Sequence, residues 1–257
     1  TLKTLDLQNN NIKGDGIQSL VCALENNTTL ISLNLGRNQI DIDGIQHLAN
    51  AIENNMTLTE LNIEGNGIGD DAIKYLAYAL ETNTTLTTLN LARNDISVEG
   101  AQSIANALEN NTTLTTLNLG GNQLGNDSIE LLSIALQYNN TLTTLHVGWN
   151  SIGVEGAQYL GNVLNNNSIL VKLDLQSNEI YDDGIQYIAD ALRNNTTLKT
   201  LNLVRNNISD EGANYLINAL ENNTTLTNLH LALNHIADEG AQSLANLLEN
   251  NKVRRIL

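Results

Sequence analysis

The sequence predicts an α/β solenoid of nine 28-residue repeats plus a partial tenth. Each unit pairs a short strand with a helix, and the units stack into a curved horseshoe with a parallel sheet on its concave face and helices on its convex face. Three observations predict this. Leucine returns every 28 residues without insertion, at Leu2, Leu30, Leu58, Leu86, Leu114, Leu142, Leu170, Leu198 and Leu226. Eight residues after each stands an asparagine: Asn10, Asn38, Asn66, Asn94, Asn122, Asn150, Asn178, Asn206 and Asn234. Within every unit the apolar spacing then changes from steps of two to steps of three and four.

The strand comes first. In TLTTLNLARNDI, Leu89 and Leu91 lie two apart and so point to one side of an extended segment. The helix follows in VEGAQSIANALEN, where Ala101, Ile104, Ala107 and Leu108 line one face. An acid opens each helix, at Asp15, Asp43, Asp71, Glu99, Asp127, Glu155, Asp183, Glu211 and Glu239, where the helix dipole and free N–H groups favour negative charge. Glycine follows that acid except at Ala72 and Ser128, so small size is required there. The asparagine column is expected to bond backbone groups in the turn leaving each strand, a ladder inside the stack. A single unit cannot bury its apolar faces, so stacking must complete the core and join the strands.

The string LxxLxLxxNxI, then acid-Gly, LxxAL and Asn-Asn-Thr-Thr-Leu, resembles the ribonuclease-inhibitor-like class of leucine-rich repeats. Within that class it is similar to the sensor halves of NOD-like receptors and the repeat effectors of intracellular bacteria. The resemblance spans essentially the whole chain and implies a recognition scaffold, one that elsewhere carries inhibitors, receptors and GTPase activators. Ribonuclease inhibitor itself alternates two repeat lengths and is rich in cysteine. One constant length and a lone cysteine, Cys22, argue against ribonuclease inhibition here.

Composition bounds the rest. With no phenylalanine, no proline and one tryptophan, Trp149, the core must be aliphatic, and one continuous domain over residues 1–257 is expected. The ends carry no full polar cap, and the pattern breaks at Arg254 within a terminal KVRRIL that could serve as a makeshift edge. The chain is therefore expected to be a piece of a longer protein. Cys22 cannot form an internal disulfide, which points to the cytoplasm, or to a host cytoplasm for a secreted bacterial effector. Sequons such as Asn27-Thr28-Thr29 and Asn195-Thr196-Thr197 recur because one loop recurs, and read either as structure or as glycan acceptors. No apolar run approaches ~18 residues, so no membrane insertion is expected, and a formal charge of -16 excludes a nucleic-acid surface.

If packing fixes inward positions, function belongs to exposed positions that differ between repeats. On the strands and their exit turns the candidates are Arg37, Glu64, Arg93, His146, Trp149 and Lys172. Further along stand Glu179, Tyr181, Arg205, His230, Leu233 and His235. Trp, Tyr and Arg are the usual anchors of protein interfaces. This side balances seven basic against seven acidic residues, so the net charge resides on the helical side, where it reads as a solvated, solubilising face. Trp149 faces Gly121 and Ser177 in the adjoining repeats, with Gly120 and Gly148 nearby. Either it edges a recess that a partner fills, together with His146, Tyr181 and Arg205, or it lies over the glycines as a shield. Tyr159, Tyr187 and Tyr215 form a row on three consecutive helices, read as stacked rings or as a second interface. His230 and His235 lack the further ligands that zinc requires.

No nucleophile–base cluster, phosphate loop or metal-ligand spacing is present, so neither catalysis nor a cofactor is expected. The leading expectation is a non-catalytic module that binds a protein partner. The alternatives are a GTPase activator resembling the Ran-activating class of this scaffold and a purely structural array.

Overall fold

The computed structural model describes the chain through residue 254 and side chains through residue 249. The strands are β1 (Thr4–Asp6), β2 (Ser32–Asn34), β3 (Glu60–Asn62), β4 (Thr88–Asn90), β5 (Thr116–Asn118), β6 (Thr144–His146), β7 (Lys172–Asp174), β8 (Thr200–Asn202) and β9 (Asn228–His230). Each is followed by a helix: α1 (Gly14–Leu24), α2 (Ile42–Asn54), α3 (Asp70–Thr82), α4 (Val98–Asn110), α5 (Gly125–Tyr138), α6 (Val154–Asn166), α7 (Tyr181–Leu192), α8 (Asp210–Leu220) and α9 (Asp238–Arg254). The strands form one parallel sheet in chain order, and every register is a 28-residue shift, Leu33 beside Leu61 and Leu61 beside Leu89. Strands sit about 4.8 Å apart and helices about 10 Å, so the stack bends with the sheet inside. Arg254, where the 28-residue register would open a tenth repeat, is still within α9, and the last three residues of KVRRIL lie outside the described residues.

Inward leucines alternate with polar residues that are half-buried on most strands and exposed on β1 and β9. Leu89, Leu91, Ile96, Ile104 and Leu108 of one repeat are all at most 2% exposed and join a single aliphatic core running from Ile17 to Ala219. No repeat owns its core, since each layer is closed by its neighbours.

The asparagine column is the expected ladder, and it reaches across repeats. Asn94 Nδ2 donates to the Ile63 carbonyl of the preceding repeat at 2.9 Å. Its Oδ1 accepts from the N–H groups of Asn66 (2.8 Å) and Ile68 (3.3 Å). Chain groups that leave the sheet would otherwise be buried without partners. The pattern repeats at Asn38, Asn66, Asn122, Asn150 and Asn178. Asn206 departs from it: its buried Oδ1 has no partner, and its carbonyl accepts instead from Tyr181 N–H at 3.0 Å.

A second asparagine column closes the helix ends, and it comes from the Asn-Asn-Thr-Thr-Leu motif. Asn83 Nδ2 donates to Ile52 O at 2.8 Å, while its Oδ1 accepts from Thr85 N–H (3.0 Å) and Leu86 N–H (2.7 Å). Asn111 and Asn195 do the same one and four repeats on. At these positions the sequon asparagine has a structural role. The amide nitrogen that would carry a glycan at Asn83, Asn111 or Asn195 is spent on a buried carbonyl.

The acids do occupy the first turn of each helix, and Asp41 caps α2 from its own repeat through Gly44 N–H at 2.9 Å, but α4, α6 and α8 are capped from one repeat earlier. Asp70 Oδ1 accepts from Ser97 N–H (2.8 Å) and Gly100 N–H (3.0 Å), capping α4. Asn126 caps α6 through Gly153 and Gly156, and Asp182 caps α8 through Ser209 and Gly212. For four of the glycines this adds to a constraint inside the unit, the Cγ2 of the isoleucine four residues earlier, which a Cβ at Gly16, Gly44 or Gly184 would also meet. A Cβ at Gly100, Gly156, Gly212 or Gly240 would be driven against the capping oxygen of Asp70, Asn126, Asp182 or Asp210. Ala72 and Ser128 are tolerated because Ile42 and Val98, the corresponding residues one repeat earlier, present no such oxygen.

Candidate functional site

The residue directly before the column asparagine has a left-handed backbone in every repeat. Gly65 and Gly121 hold that position with φ of 66° and 70°, and Asn9, Arg37, Arg93, Trp149, Ser177, Arg205 and Leu233 hold it with φ between 54° and 60°. A non-glycine residue pays about 1–2 kcal/mol there. The bend turns these side chains out of the sheet and over its exit edge. Trp149 is 51% exposed and Leu233 is 75% exposed.

The exposed strand face is partly structural too. Asn34, Asn62, Asn90, Asn118, Asp174 and Asn202 each accept from the N–H two residues on, bracing the turn with a side-chain oxygen. His146 and His230 occupy the same strand position with a different chemistry. His146 Nδ1 lies 3.2 Å from Asp174 Oδ2 in the next repeat. Burial pushes the Asp174 carboxyl up. Hydrogen bonds from His146, the Gln176 N–H and Asn202, with the charge of His146, outweigh that and hold it below its ordinary value.

A shallow recess of about 220 Å³ opens at the centre of this face. Its floor is Gly120, Gly121 and Gly148, and its walls include Glu64, Arg93, His146, Asp174 and Trp149. The glycines are needed for close approach, since a Cβ on Gly148 would stand 2.8 Å from the Gln176 carbonyl oxygen. Glu64 gathers two arginines, Arg37 at 3.2 Å and Arg93 at 3.9 Å. The Arg205 guanidinium lies 5.2 Å from the centre of the Trp149 ring, so the indole reaches across the intervening repeat. The atoms that a side chain at Gly120 would meet are Asn118 Oδ1 and the Gly148 carbonyl, and the indole is not among them. Trp149 is one of the residues that line the recess.

The remaining candidates distribute around this centre. Lys172 lies on β7, half-buried. Tyr181 opens α7 at φ 54° and does not line the recess, and Glu179 is exposed in the turn before it. His230, Leu233 and His235 are exposed at the last described strand, away from the recess. Among the described residues no three His, Cys, Asp or Glu side chains gather into a possible metal site. Of the tyrosine row, Tyr159 and Tyr215 pack partly against the core while Tyr187 stays 41% exposed. Sequence reasoning missed the left-handed column, although Asn9, Gly65 and Gly121 at one register are its signal. It also missed the pairing of Glu64 with two arginines, which lies in no local pattern.

The profile of a family described as Leucine Rich repeat matches residues 1–21, 26–49, 54–77, 82–105, 110–133, 138–161, 166–189, 194–216 and 222–245. No curated protein matches the chain. Among solved structures, the leiomodin-1 Actin-Binding Site 2 (ABS2) is similar at 22% identity and a TM-score of 0.51, covering 61% of this chain and 90% of that one. A Caenorhabditis elegans tropomodulin C-terminal domain aligns at 15% identity and a TM-score of 0.47, over 70% and 92% of the two chains. An internalin from Listeria monocytogenes aligns at 21% identity and a TM-score of 0.42, over 96% and 84%. At these identities the likeness is one of fold.

Proposed function

The chain belongs to the leucine-rich-repeat family, and on that premise we propose that it is a non-catalytic module that binds a protein partner through the concave sheet face and its exit turns. One observation carries the reading. Trp149, Arg37, Arg93, Arg205 and Leu233 all occupy the left-handed column that Gly65 and Gly121 fill without strain. Large side chains placed at a conformational cost on exposed ground, two of them lining the recess, suit recognition better than stability. The finer class is ribonuclease-inhibitor-like, supported by the full helix that closes each unit, and the setting is cytoplasmic. Within that class, the sensor repeats of NOD-like receptors and the effectors of intracellular bacteria offer the nearest functional analogy. Arg37 and Arg93 stand beside Glu64 and Arg205 beside Trp149, which supports the binding reading over that of a GTPase activator.

Trp149→Gly tests the reading. Glycine is at home in this column, so thermal stability should hold or rise, while a protein retained from cytosol by the immobilised wild-type chain should be lost. Undiminished retention by the variant would refute a role for the recess.

A further inference from the structure

The outer face carries a feature that the sheet-face reading does not use. At one helix position Leu131, Tyr159, Tyr187 and Tyr215 follow one another on α5, α6, α7 and α8, bounded by Ser103 on α4 and Ser243 on α9. Tyr187 is 41% exposed, and Ile134 on α5 widens the strip at 46% exposure. Leu131, Tyr159 and Tyr215 are half-buried against the core and show only part of their side chains, so the row is a partly exposed apolar feature on an otherwise polar helical surface.

One turn before each member of the row stands a carboxylate: Asp127, Glu155, Asp183 and Glu211. Tyr215 Oη donates to Glu211 Oε1 at 2.9 Å, which holds that ring beside its acid. The helices α5 to α8 carry eight acidic residues and no lysine or arginine, and Arg193 at the C-cap of α7 offsets one of them by pairing with Asp190 at 3.5 Å. The surface is therefore an apolar strip with a negative border, and its complement is an apolar stripe flanked by positive charge.

Geometry narrows the occupant further. The backbone groups of the outer helices are bonded within those helices, so the surface offers no strand edge to an extended peptide, and an occupant must satisfy its own backbone. A helix does so. Neighbouring helices stand about 10 Å apart, and seven residues of a helix rise about 10.5 Å, so one apolar side chain per heptad meets one row residue per repeat. We propose that this face docks an amphipathic, Lys/Arg-rich helix of a partner protein, laid across α5 to α8 and independent of the sheet-face site.

The probe is a synthetic helix-forming peptide of about 25 residues, with leucine at heptad spacing and lysine on both flanks. Its control is a peptide of the same composition scrambled to remove the stripe. Calorimetric titration of the whole chain should give the striped peptide at least about tenfold tighter binding than the scrambled one. The triple substitution Tyr159→Ser, Tyr187→Ser, Tyr215→Ser should erase that advantage. Should the triple variant fold poorly, Glu155→Gln, Asp183→Asn and Glu211→Gln together keep the apolar row, and should weaken binding and flatten its salt dependence. Trp149→Gly should leave this binding unchanged, which separates it from the sheet-face site. Equal binding of both peptides, or wild-type affinity in both triple variants, would overturn the proposal.

Discussion

Asn94→Ala is expected to destabilise the protein by about 4 kcal/mol, because it removes one buried side chain, leaves two backbone N–H groups without an acceptor and takes one of two donors from a buried carbonyl. The N–H groups of Asn66 and Ile68 lose their acceptor, and Ile63 O loses a donor. Asn94 is fully buried, so water cannot replace the amide without opening the turn. Asn10 is the internal control. It holds the same position in the first repeat but is exposed, and its amide bonds only Leu7 O and Gln8 O. Asn10→Ala should cost less than about 1 kcal/mol. Urea unfolding of the two variants measures both, and comparable losses would mean that the column does not work across repeats.

Asp182→Ala and Gly212→Ala should each cost about 2 kcal/mol, and the double substitution little more than either alone. The carboxylate caps α8 from the preceding repeat, accepting from Ser209 N–H at 2.8 Å and Gly212 N–H at 3.1 Å. Alanine at Gly212 presses against that oxygen and drives it off the cap. Once the carboxylate is gone the extra methyl is left with Ile208 Cγ2 alone, and Ala72 stands at the same spacing after Ile68 in an earlier repeat. Asp182→Asn should be nearly silent, since Asn126 caps α6 with the same geometry. Additive losses in the unfolding cycle would break the link between cap and glycine.

The architecture was legible because a strict period projects straight onto stacking. Leu89 and Leu91, Ile104 and Leu108 announce strand and helix, and the Asn94 column announces the ladder. What sequence withheld are contacts between residues about one repeat apart in unequal roles. Asn83 reaches Ile52 O, 31 residues away, and Asp70 reaches Gly100 N–H, 30 residues away. No window shorter than a repeat contains both partners. The glycine after the acid was read correctly as a demand for smallness, yet part of the reason lay in the previous unit. At the candidate site the recess was foreseeable from Gly120, Gly121 and Gly148, whereas the lean of Trp149 toward Arg205 was not. Side-chain direction at a left-handed residue depends on the three-dimensional turn.

The two asparagine columns and the cross-repeat caps give the exposed columns their freedom. With the backbone held by buried amides, a turn residue such as Trp149 or Arg205 can change without altering register. Rigidity of this kind is a physical prerequisite for a preorganised interface.

Amide hydrogen exchange tests that claim most directly. The N–H groups of Asn66, Asn94 and Asn122, which donate to the asparagine of the following repeat, should exchange as slowly as Leu86 and Leu114 at the helix-end column and share one opening free energy. Column amides that exchange orders of magnitude faster than the amides of α4, or repeat by repeat with separate free energies, would contradict a stack locked by its asparagines.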